Sequence, residues 1–299
     1  MTVMWARSGT RRLALQEASR RSRSRGQQRR DATSSSSQPS PSSSGLPGDS
    51  EPERIVVPVR RASRLTGSQL ANALGWWKGG REQLWEEKLG FREPFRGNDA
   101  TRWGIKHEPV ARDDFVQHTG LSVLDAGKEG LGLLDKEAGG LVRLHREEGK
   151  TWLGAAPDGV IPDKDALLEI KCPFNRGYPR EARPWETAPW YYMAQVQSLM
   201  EVFDMDCTYF YCWTIDHGSF VYLVDRDREY WRIVEAALAE FWHRNLVPAR
   251  EVLLESDGLA VSEAQVFRPR DLSTLTEYTK KLSMKMAARC APVRYPPVI

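Results

Sequence analysis

The chain has 299 residues, which is enough for one large domain or two small ones. It contains no run near the roughly 18 consecutive apolar residues that a membrane-spanning helix needs, so we expect a soluble protein. The four cysteines show neither Cys-x₂-Cys pairs nor a histidine at zinc-binding spacing, which argues against a zinc or iron–sulfur protein.

The net charge of +3 is unevenly distributed along the chain. Residues 1–50 hold nine arginines, no lysine and three acidic residues, which leaves residues 51–299 with 34 basic and 37 acidic side chains. The body is therefore not a generally basic protein that coats polyanions, and any nucleic-acid groove has to be a local patch.

Residues 1–50 are rich in arginine and serine and lack hydrophobic periodicity. We predict a disordered leader, because such a segment buries too little apolar area to offset its chain entropy. Its composition is typical of an organelle transit peptide and favours a mitochondrial or chloroplast location. The alternative is a disordered basic tail that touches nucleic acid non-specifically.

Helical signals begin after Arg54. We expect one folded domain over 54–250, followed by a C-terminal extension over 251–299 that is partly helical and has a flexible end. Three helices are predicted in the first half of the domain, over 69–74, 82–89 and 101–118. Gly75 ends the first of them. Pro109 is tolerated in the third only in its first turn or at a kink.

The rest of the domain alternates between strands and helices. Glycine-rich turns separate strands over 121–171, a crossover helix follows over 189–203, two strands lie over 208–213 and 220–224, and a helix spans 228–244. This order predicts an α/β fold with a central mixed β-sheet flanked by helices.

The most informative pattern joins Asp158 to the string Leu168-Glu169-Ile170-Lys171. Residues 166–172 are predicted to form a strand, on which Glu169 and Lys171 share one face. A hairpin through 159–165 would bring Asp158 beside Glu169. Two neighbouring carboxylates repel unless a cation lies between them, and oxygen ligands suit Mg²⁺ or Mn²⁺. On spacing alone, a solvated charge pair on an exposed strand fits the same residues.

Five segments of the chain carry such residues in a characteristic order. They are Arg61 with Leu65-Thr66-Gly67-Ser68, Trp103 to Glu108, Ala156 to Gly159, Leu168 to Phe174, and Tyr192 to Gln197. Together they resemble the phage lambda exonuclease family of YqaJ-like viral recombinases, a branch of the PD-(D/E)xK nuclease superfamily. The resemblance runs from about Arg61 to Arg244 and implies a restriction-endonuclease-like α/β core.

The resemblance implies a metal site. Asp158, Glu169 and the backbone carbonyl of Ile170 would bind one or two Mg²⁺ ions, with Mn²⁺ as a substitute. Glu108 would point into the same site as a metal or water ligand. Lys171 would orient or activate the attacking water.

Three neighbours of these residues receive supporting roles. Gln195 would hold Lys171 or the water. Gln197, two residues further along the helix, points away, and we interpret it as a packing amide. We interpret His107 as a structural imidazole rather than a metal ligand.

The resemblance also implies where the DNA end is held. Arg61 and Ser68 would grip a 5′-terminal phosphate, with Arg64 of the same loop as the alternative to Arg61. Trp76 and Trp77 are candidates for stacking on a frayed base, and ordinary core aromatics are the alternative.

We therefore expect a Mg²⁺-dependent DNA exonuclease that acts 5′ to 3′ on linear double-stranded DNA, in recombination, repair or organelle DNA turnover. The first alternative is an endonuclease or a single-strand-preferring exonuclease of the same fold. The second, from another class, is a catalytically inactive DNA-binding module. Family members act beside a single-strand annealing protein and can form a ring-shaped trimer. The resemblance therefore implies an annealing protein as a possible partner and a homotrimer as a possible oligomer.

Overall fold

The computed structural model describes residues 64–126, 133–135, 140–145, 149–256, 258 and 260–298. The predicted leader and Arg61 lie outside these residues. Within the described ranges, no helix is both long enough and apolar enough to cross a membrane.

The strands form two sheets. The strands are β1 (Leu65–Thr66), β2 (Leu133–Asp135), β3 (Gly140–Leu144), β4 (Leu153–Ala155), β5 (Gly159–Ile161), β6 (Ala166–Lys171), β7 (Cys207–Thr214), β8 (Gly218–Asp225) and β9 (Pro292–Tyr295). The first sheet has the order β1-β4-β3-β2 and the second has the order β5-β6-β7-β8-β9. In the second sheet β6 and β7 are parallel and the other neighbours are antiparallel, so the predicted mixed sheet is confirmed.

Helices connect and cover the sheets. They are α1 (Leu70–Ala73), α2 (Gly80–Leu89), α3 (Asp99–Thr119), α4 (Met193–Phe203), α5 (Arg228–Glu240), α6 (Val247–Glu255), α7 (Val261–Ala264) and α8 (Thr276–Arg289). Helix α4 lies in the connection that a parallel pair such as β6 and β7 requires. A π-helical turn, Phe241–Leu246, joins α5 to α6.

Most predicted elements are present with shifted ends. Helix α3 spans 21 residues, so Pro109 lies in its middle, and the first turn is excluded as the place of this proline. The helix starts cleanly because the Asn98 side chain accepts a hydrogen bond from the Thr101 amide at 2.9 Å.

Strand β6, which carries Glu169 and Lys171, is buried on both faces. Leu167 packs into the larger apolar cluster, which includes the buried face of α4. Leu168 and Ile170 pack into a second cluster with Ala111 and Phe115 of α3. Burial of alternate residues on opposite faces holds the register of the strand, because a slip of one residue would exchange the two faces.

The C-terminal extension packs onto the domain over the ranges that are described. Helix α8 accepts a hydrogen bond from Trp76 Nε1 at Thr279 Oγ1 (3.1 Å), and its Thr276 hydroxyl donates to the Leu74 carbonyl (2.8 Å). Strand β9 then pairs with β8 and forms one edge of the second sheet. The extension therefore adds a helix and an edge strand to the folded body.

Candidate active site

A short hairpin brings Asp158 next to β6, as predicted. Strands β5 and β6 pair in the register Gly159 to Leu168, and a one-turn 3₁₀ helix, Pro162–Lys164, closes the loop. The Asp158 carboxylate accepts a hydrogen bond from the Ile170 amide at 2.6 Å. This bond fixes the carboxylate at the end of β6 where Glu169 and Lys171 stand.

Glu169 is the buried centre of the arrangement, with 1% of its surface exposed. Its Oε1 accepts hydrogen bonds from Lys171 Nζ at 2.5 Å and from Gln195 Nε2 at 2.6 Å. Gln195 therefore holds the carboxylate that holds Lys171. Oε2 of Glu169 is buried and has no hydrogen-bond partner among the described residues.

Burial strongly perturbs the ionisation of these groups. It raises the pKa of Asp158, and it raises the pKa of Glu169 to about 8 although the Lys171 ammonium opposes the change. For Lys171, burial alone would lower the pKa, but Glu169 and Asp158 outweigh it and raise the pKa above its ordinary value. Lys171 is therefore a cation near neutral pH, and its charge is paired with the Glu169 carboxylate.

Glu108 reaches the same cleft from α3, and Arg112 holds it in place. Burial and then the Asp158 charge raise the pKa of Glu108 to about 7, against the effect of Arg112. Arg112 donates to Glu108 Oε1 and to Asp125 Oδ2, each at 2.7 Å. Sequence reasoning missed Arg112 and Asp125, although the four-residue spacing from Glu108 to Arg112 on a helix was a usable signal.

The side chains converge on a cleft of about 740 Å³. Glu108, Asp158 and Lys171 line it, and Ser68 lines it from the 3₁₀ turn that precedes α1. Gly67 lies close to Gln195, since a Cβ at Gly67 would stand 3.0 Å from Gln195 Cγ. The structure therefore places Ser68 in the same cleft as the predicted metal ligands.

Arg183 is an exposed cation in this cleft that sequence reasoning also missed. Its only signal was its position in the loop between the Glu-x-Lys motif and α4. Arg64 does not line the cleft, and its backbone carbonyl accepts a hydrogen bond from Lys88 Nζ at 2.6 Å. Arg61 lies outside the described residues.

The structure separates the two tryptophans that were predicted to stack on DNA. The prediction for Trp76 is wrong, because only 5% of its surface is exposed and its ring centroid lies 5.2 Å from that of Trp190. Trp77 is 43% exposed but does not line the cleft. The aromatic residues that do line it include Tyr192, whose ring centre lies 5.1 Å from Lys171 Nζ, and Trp185.

The two residues interpreted as structural have structural contacts. Gln197 is fully buried, donates to the Asp225 carbonyl at 2.7 Å and accepts from the Asp227 amide at 2.9 Å. His107 Nδ1 lies 2.8 Å from the Trp103 carbonyl, and the two rings are in contact.

The donor set fits a hard divalent cation held partly by water. In the described part of the chain, no group of three His, Cys, Asp or Glu side chains is close enough to surround an ion by itself. Mg²⁺ is usually held by one or two carboxylates with several waters, so a complete set of side chains is not needed. The unpartnered Glu169 Oε2 and the raised carboxyl pKa values both favour the binding of a cation here.

These pKa values predict how stability depends on pH and metal. An acid whose pKa is raised on folding stabilises the fold below its unfolded pKa, and this stabilisation is lost as pH rises through the pKa of the folded state. The folded-state pKa is about 7 for Glu108 and about 8 for Glu169. In EDTA, the temperature of the thermal unfolding midpoint should decrease as the pH is raised from about 6 to about 9. Mn²⁺ should raise it more at about pH 8.5 than at about pH 6. Calorimetry showing equal Mn²⁺ shifts at both pH values would contradict this expectation.

The fold and site define the class of protein: an α/β domain of the nuclease type, with two acids and one lysine in the wall of its cleft. The family model of the YqaJ-like viral recombinase domain matches residues 58–206. The match covers just under half of the chain and confirms the resemblance seen in the sequence. No curated protein matches the chain.

Solved structures of exonucleases are similar to this chain. The alkaline exonuclease LHK-Exo from Laribacter hongkongensis, in complex with dAMP, is 22% identical, with a TM-score of 0.51 over 68% of this chain and 97% of that chain. A further structure of LHK-Exo is 20% identical, with a TM-score of 0.48 over 66% and 94% of the two chains. A phage-related exonuclease from Haemophilus somnus 129PT is 14% identical, with a TM-score of 0.41 over 75% and 96%.

Proposed function

We propose that this protein is a Mg²⁺-dependent DNA exonuclease that degrades one strand of linear duplex DNA from its 5′ end. The observation that carries the proposal is the convergence of Asp158, Glu169 and Lys171 from one hairpin with Glu108 and Gln195 from two helices. The match to the family model supports nuclease chemistry. The dAMP in the solved complex of LHK-Exo is a ligand of that protein.

Each residue has a task in phosphodiester hydrolysis. Asp158, Glu169 and the Ile170 carbonyl would hold the cation, which when bound lowers the pKa of a water and neutralises charge on the phosphate. Lys171, held as a cation by Glu169, donates hydrogen bonds towards the reacting phosphate or the attacking water. Gln195 would keep Glu169 in place through a hydrogen bond to the same carboxylate oxygen that accepts from Lys171.

Glu108 is suited to a proton-transfer role beside the site. Burial and the Asp158 charge raise its pKa to about 7, so its carboxylate is a stronger base than that of an exposed glutamate. Arg112 fixes its orientation from the same helix. The carboxylate would accept a proton from the attacking water, either directly or through a second water that it binds.

The direction of degradation depends on how the DNA end is held. Ser68 is exposed at the cleft wall, and Arg183 supplies a cation there. A hydroxyl and a guanidinium are suitable partners for a terminal 5′-phosphate. Arg61 would also contact this 5′-phosphate, as the resemblance implies.

The test is a cleavage assay on the full chain. Linear duplexes with a 5′-phosphate or a 5′-hydroxyl and a closed circle are incubated with Mg²⁺ or EDTA, and products are read from a label at either end. We expect Mg²⁺-dependent loss of nucleotides from the 5′ end of the linear duplex and an intact circle. Ser68→Ala should reduce the preference for 5′-phosphate about tenfold or more, because a hydrogen bond to a charged group is lost.

Other outcomes would select the rival functions. Cutting of the circle would replace the proposal with an endonuclease, and digestion of single strands only would replace it with a single-strand exonuclease. DNA binding without any Mg²⁺-dependent product would leave the inactive DNA-binding module. An unchanged end preference in Ser68→Ala would remove that residue from the 5′-phosphate grip.

A further inference from the structure

Helix α8 presents an unusually basic exposed face. It carries Lys280, Lys281, Lys285 and Arg289 against one acid, Glu277. Lys281, Lys285 and Arg289 are exposed. Because they are four residues apart, they lie along one side of the helix at steps of about 6 Å.

These cations contrast with the rest of the body. Residues 51–299 are acidic overall, while α8 alone has a net charge of +3. Within the described ranges, none of the four forms an ion pair, whereas Arg268 of the same extension pairs with Glu86 at 2.8 Å. Ion pairs among the described residues therefore do not explain the basic face of α8, although Lys280 has a cation–π contact with Trp190.

The helix is connected to the active-site cleft through aromatic residues. Lys280 Nζ lies 5.3 Å from the ring of Trp190. Trp190 begins the turn Trp190–Tyr192, and Tyr192 lines the cleft. Trp77, which is 43% exposed, packs against Trp190 at 6.0 Å, and exposed Lys78 follows it.

Exposed aromatic rings and cations therefore neighbour each other at two places, Trp77 with Lys78 and Tyr278 with Lys281, and Lys280 of α8 links the two through Trp190. Tyr278, which is 51% exposed, precedes Lys281 by less than one turn of α8. This combination suits unpaired nucleic acid, because lysines and arginines follow the phosphates while bases stack on aromatic faces. Paired bases are not available for such stacking.

We infer that the surface formed by Trp77, Lys78 and the basic face of α8 binds single-stranded DNA. The inference rests on the proposed function, because removal of one strand of a duplex leaves the complementary strand unpaired beside the cleft. Acidic Asp227 and Glu229 lie near Lys285 and Arg289 around a neighbouring cavity of about 230 Å³. Asp227 is engaged as the cap of α5, where it accepts from the Tyr230 amide at 2.8 Å.

The test measures binding separately from cleavage. The affinity of the full chain for a fluorescent single strand of about 30 nucleotides is measured in EDTA over a range of salt concentrations. We expect the double variant Lys281→Glu with Lys285→Glu to bind about tenfold more weakly. The slope of log affinity against log salt should be lower by about 1.4, since each lost phosphate contact contributes about 0.7 for single strands.

A matched control isolates the position of the charges. Lys164→Glu with Arg244→Glu changes the net charge equally at two exposed positions outside this surface. It should change neither the affinity nor the slope by as much. Trp77→Ala should weaken binding about fivefold or more with an unchanged slope, because stacking releases no counterions. Equal losses in the α8 variant and the control, or unchanged binding in the α8 variant, would overturn the inference.

Two further readouts separate this inference from the proposed function. The α8 variant should hydrolyse bis(p-nitrophenyl) phosphate with Mn²⁺ as the parent protein does, since its substitutions do not touch the cleft. Strong single-strand binding by a parent protein that cleaves no DNA would refute the nuclease proposal but support this surface. If sedimentation shows that the substitutions only dissociate an oligomer and leave DNA affinity unchanged, the inference is overturned and the surface binds a second copy instead.

Discussion

Replacing Asp158 with asparagine should abolish Mg²⁺-dependent cleavage, lowering the rate by about 1,000-fold or more. Stabilisation of charge by a metal ion is worth several kcal/mol, and about 1.4 kcal/mol corresponds to a factor of ten in rate. The amide oxygen of asparagine can still accept the hydrogen bond from the Ile170 amide, so the hairpin should keep its shape. Steady-state cleavage of linear duplex DNA measures the loss of rate.

The same variant should also lose the metal response. Calorimetry should show that Mn²⁺ no longer raises its unfolding midpoint. Asp165→Asn is the matched control in the same hairpin, because Asp165 is exposed and has φ of 49°, which asparagine adopts readily. Retention of full activity or of the Mn²⁺ response in Asp158→Asn would remove Asp158 from the metal site.

Replacing Lys171 with methionine should lower the rate by about 100- to 10,000-fold, the range expected when a group that stabilises transition-state charge is removed. Lys171 Nζ lies 2.5 Å from Glu169 Oε1 and over the Tyr192 ring in the cleft. Methionine keeps most of the side chain's length and apolar contacts but has no charge and no hydrogen to donate. Single-turnover cleavage, with DNA affinity measured in parallel, would assign the loss to chemistry.

Metal binding distinguishes this variant from Asp158→Asn. Lys171→Met should still be stabilised by Mn²⁺, since the carboxylates that bind the ion remain. Lys164→Met, at an exposed position of the same hairpin, should behave as the parent protein. If Lys171→Met cleaves DNA at the parental rate, the lysine is only a structural partner of Glu169.

Local sequence patterns were sufficient to place the central hairpin. The alternation of β6 put Glu169 and Lys171 on one face, and Leu168 and Ile170 went into the apolar cluster on the opposite face. The i,i+2 spacing of Gln195 and Gln197 correctly separated their directions, since one reaches Glu169 and the other ties α4 to the start of α5. These outcomes follow from strand and helix periodicity, which depends only on the neighbouring residues.

Contacts between distant segments could not be predicted in the same way. The i,i+4 spacing indicated that Arg112 could pair with Glu108, but nothing local indicated that Arg112 would also reach Asp125, or that Trp76 would be covered by Trp190 and Thr279. The burial of an aromatic residue depends on what packs over it, and here part of the cover comes from a helix about 200 residues further along the chain. The stacking role predicted for Trp76 failed for this reason.

The sequence by itself determined which residues form the candidate site: two carboxylates and a lysine on a hairpin, with an acid before them and an amide after them. Strand alternation and the hairpin account for Asp158, Glu169 and Lys171, whereas the family resemblance added Glu108 and Gln195. Only the tertiary structure decided which oxygen of Glu169 is shared by Lys171 and Gln195, and that α8 places lysines beside the aromatic residues near the cleft. Such arrangements depend on the packing of segments far apart in the chain, and no local periodicity encodes that packing.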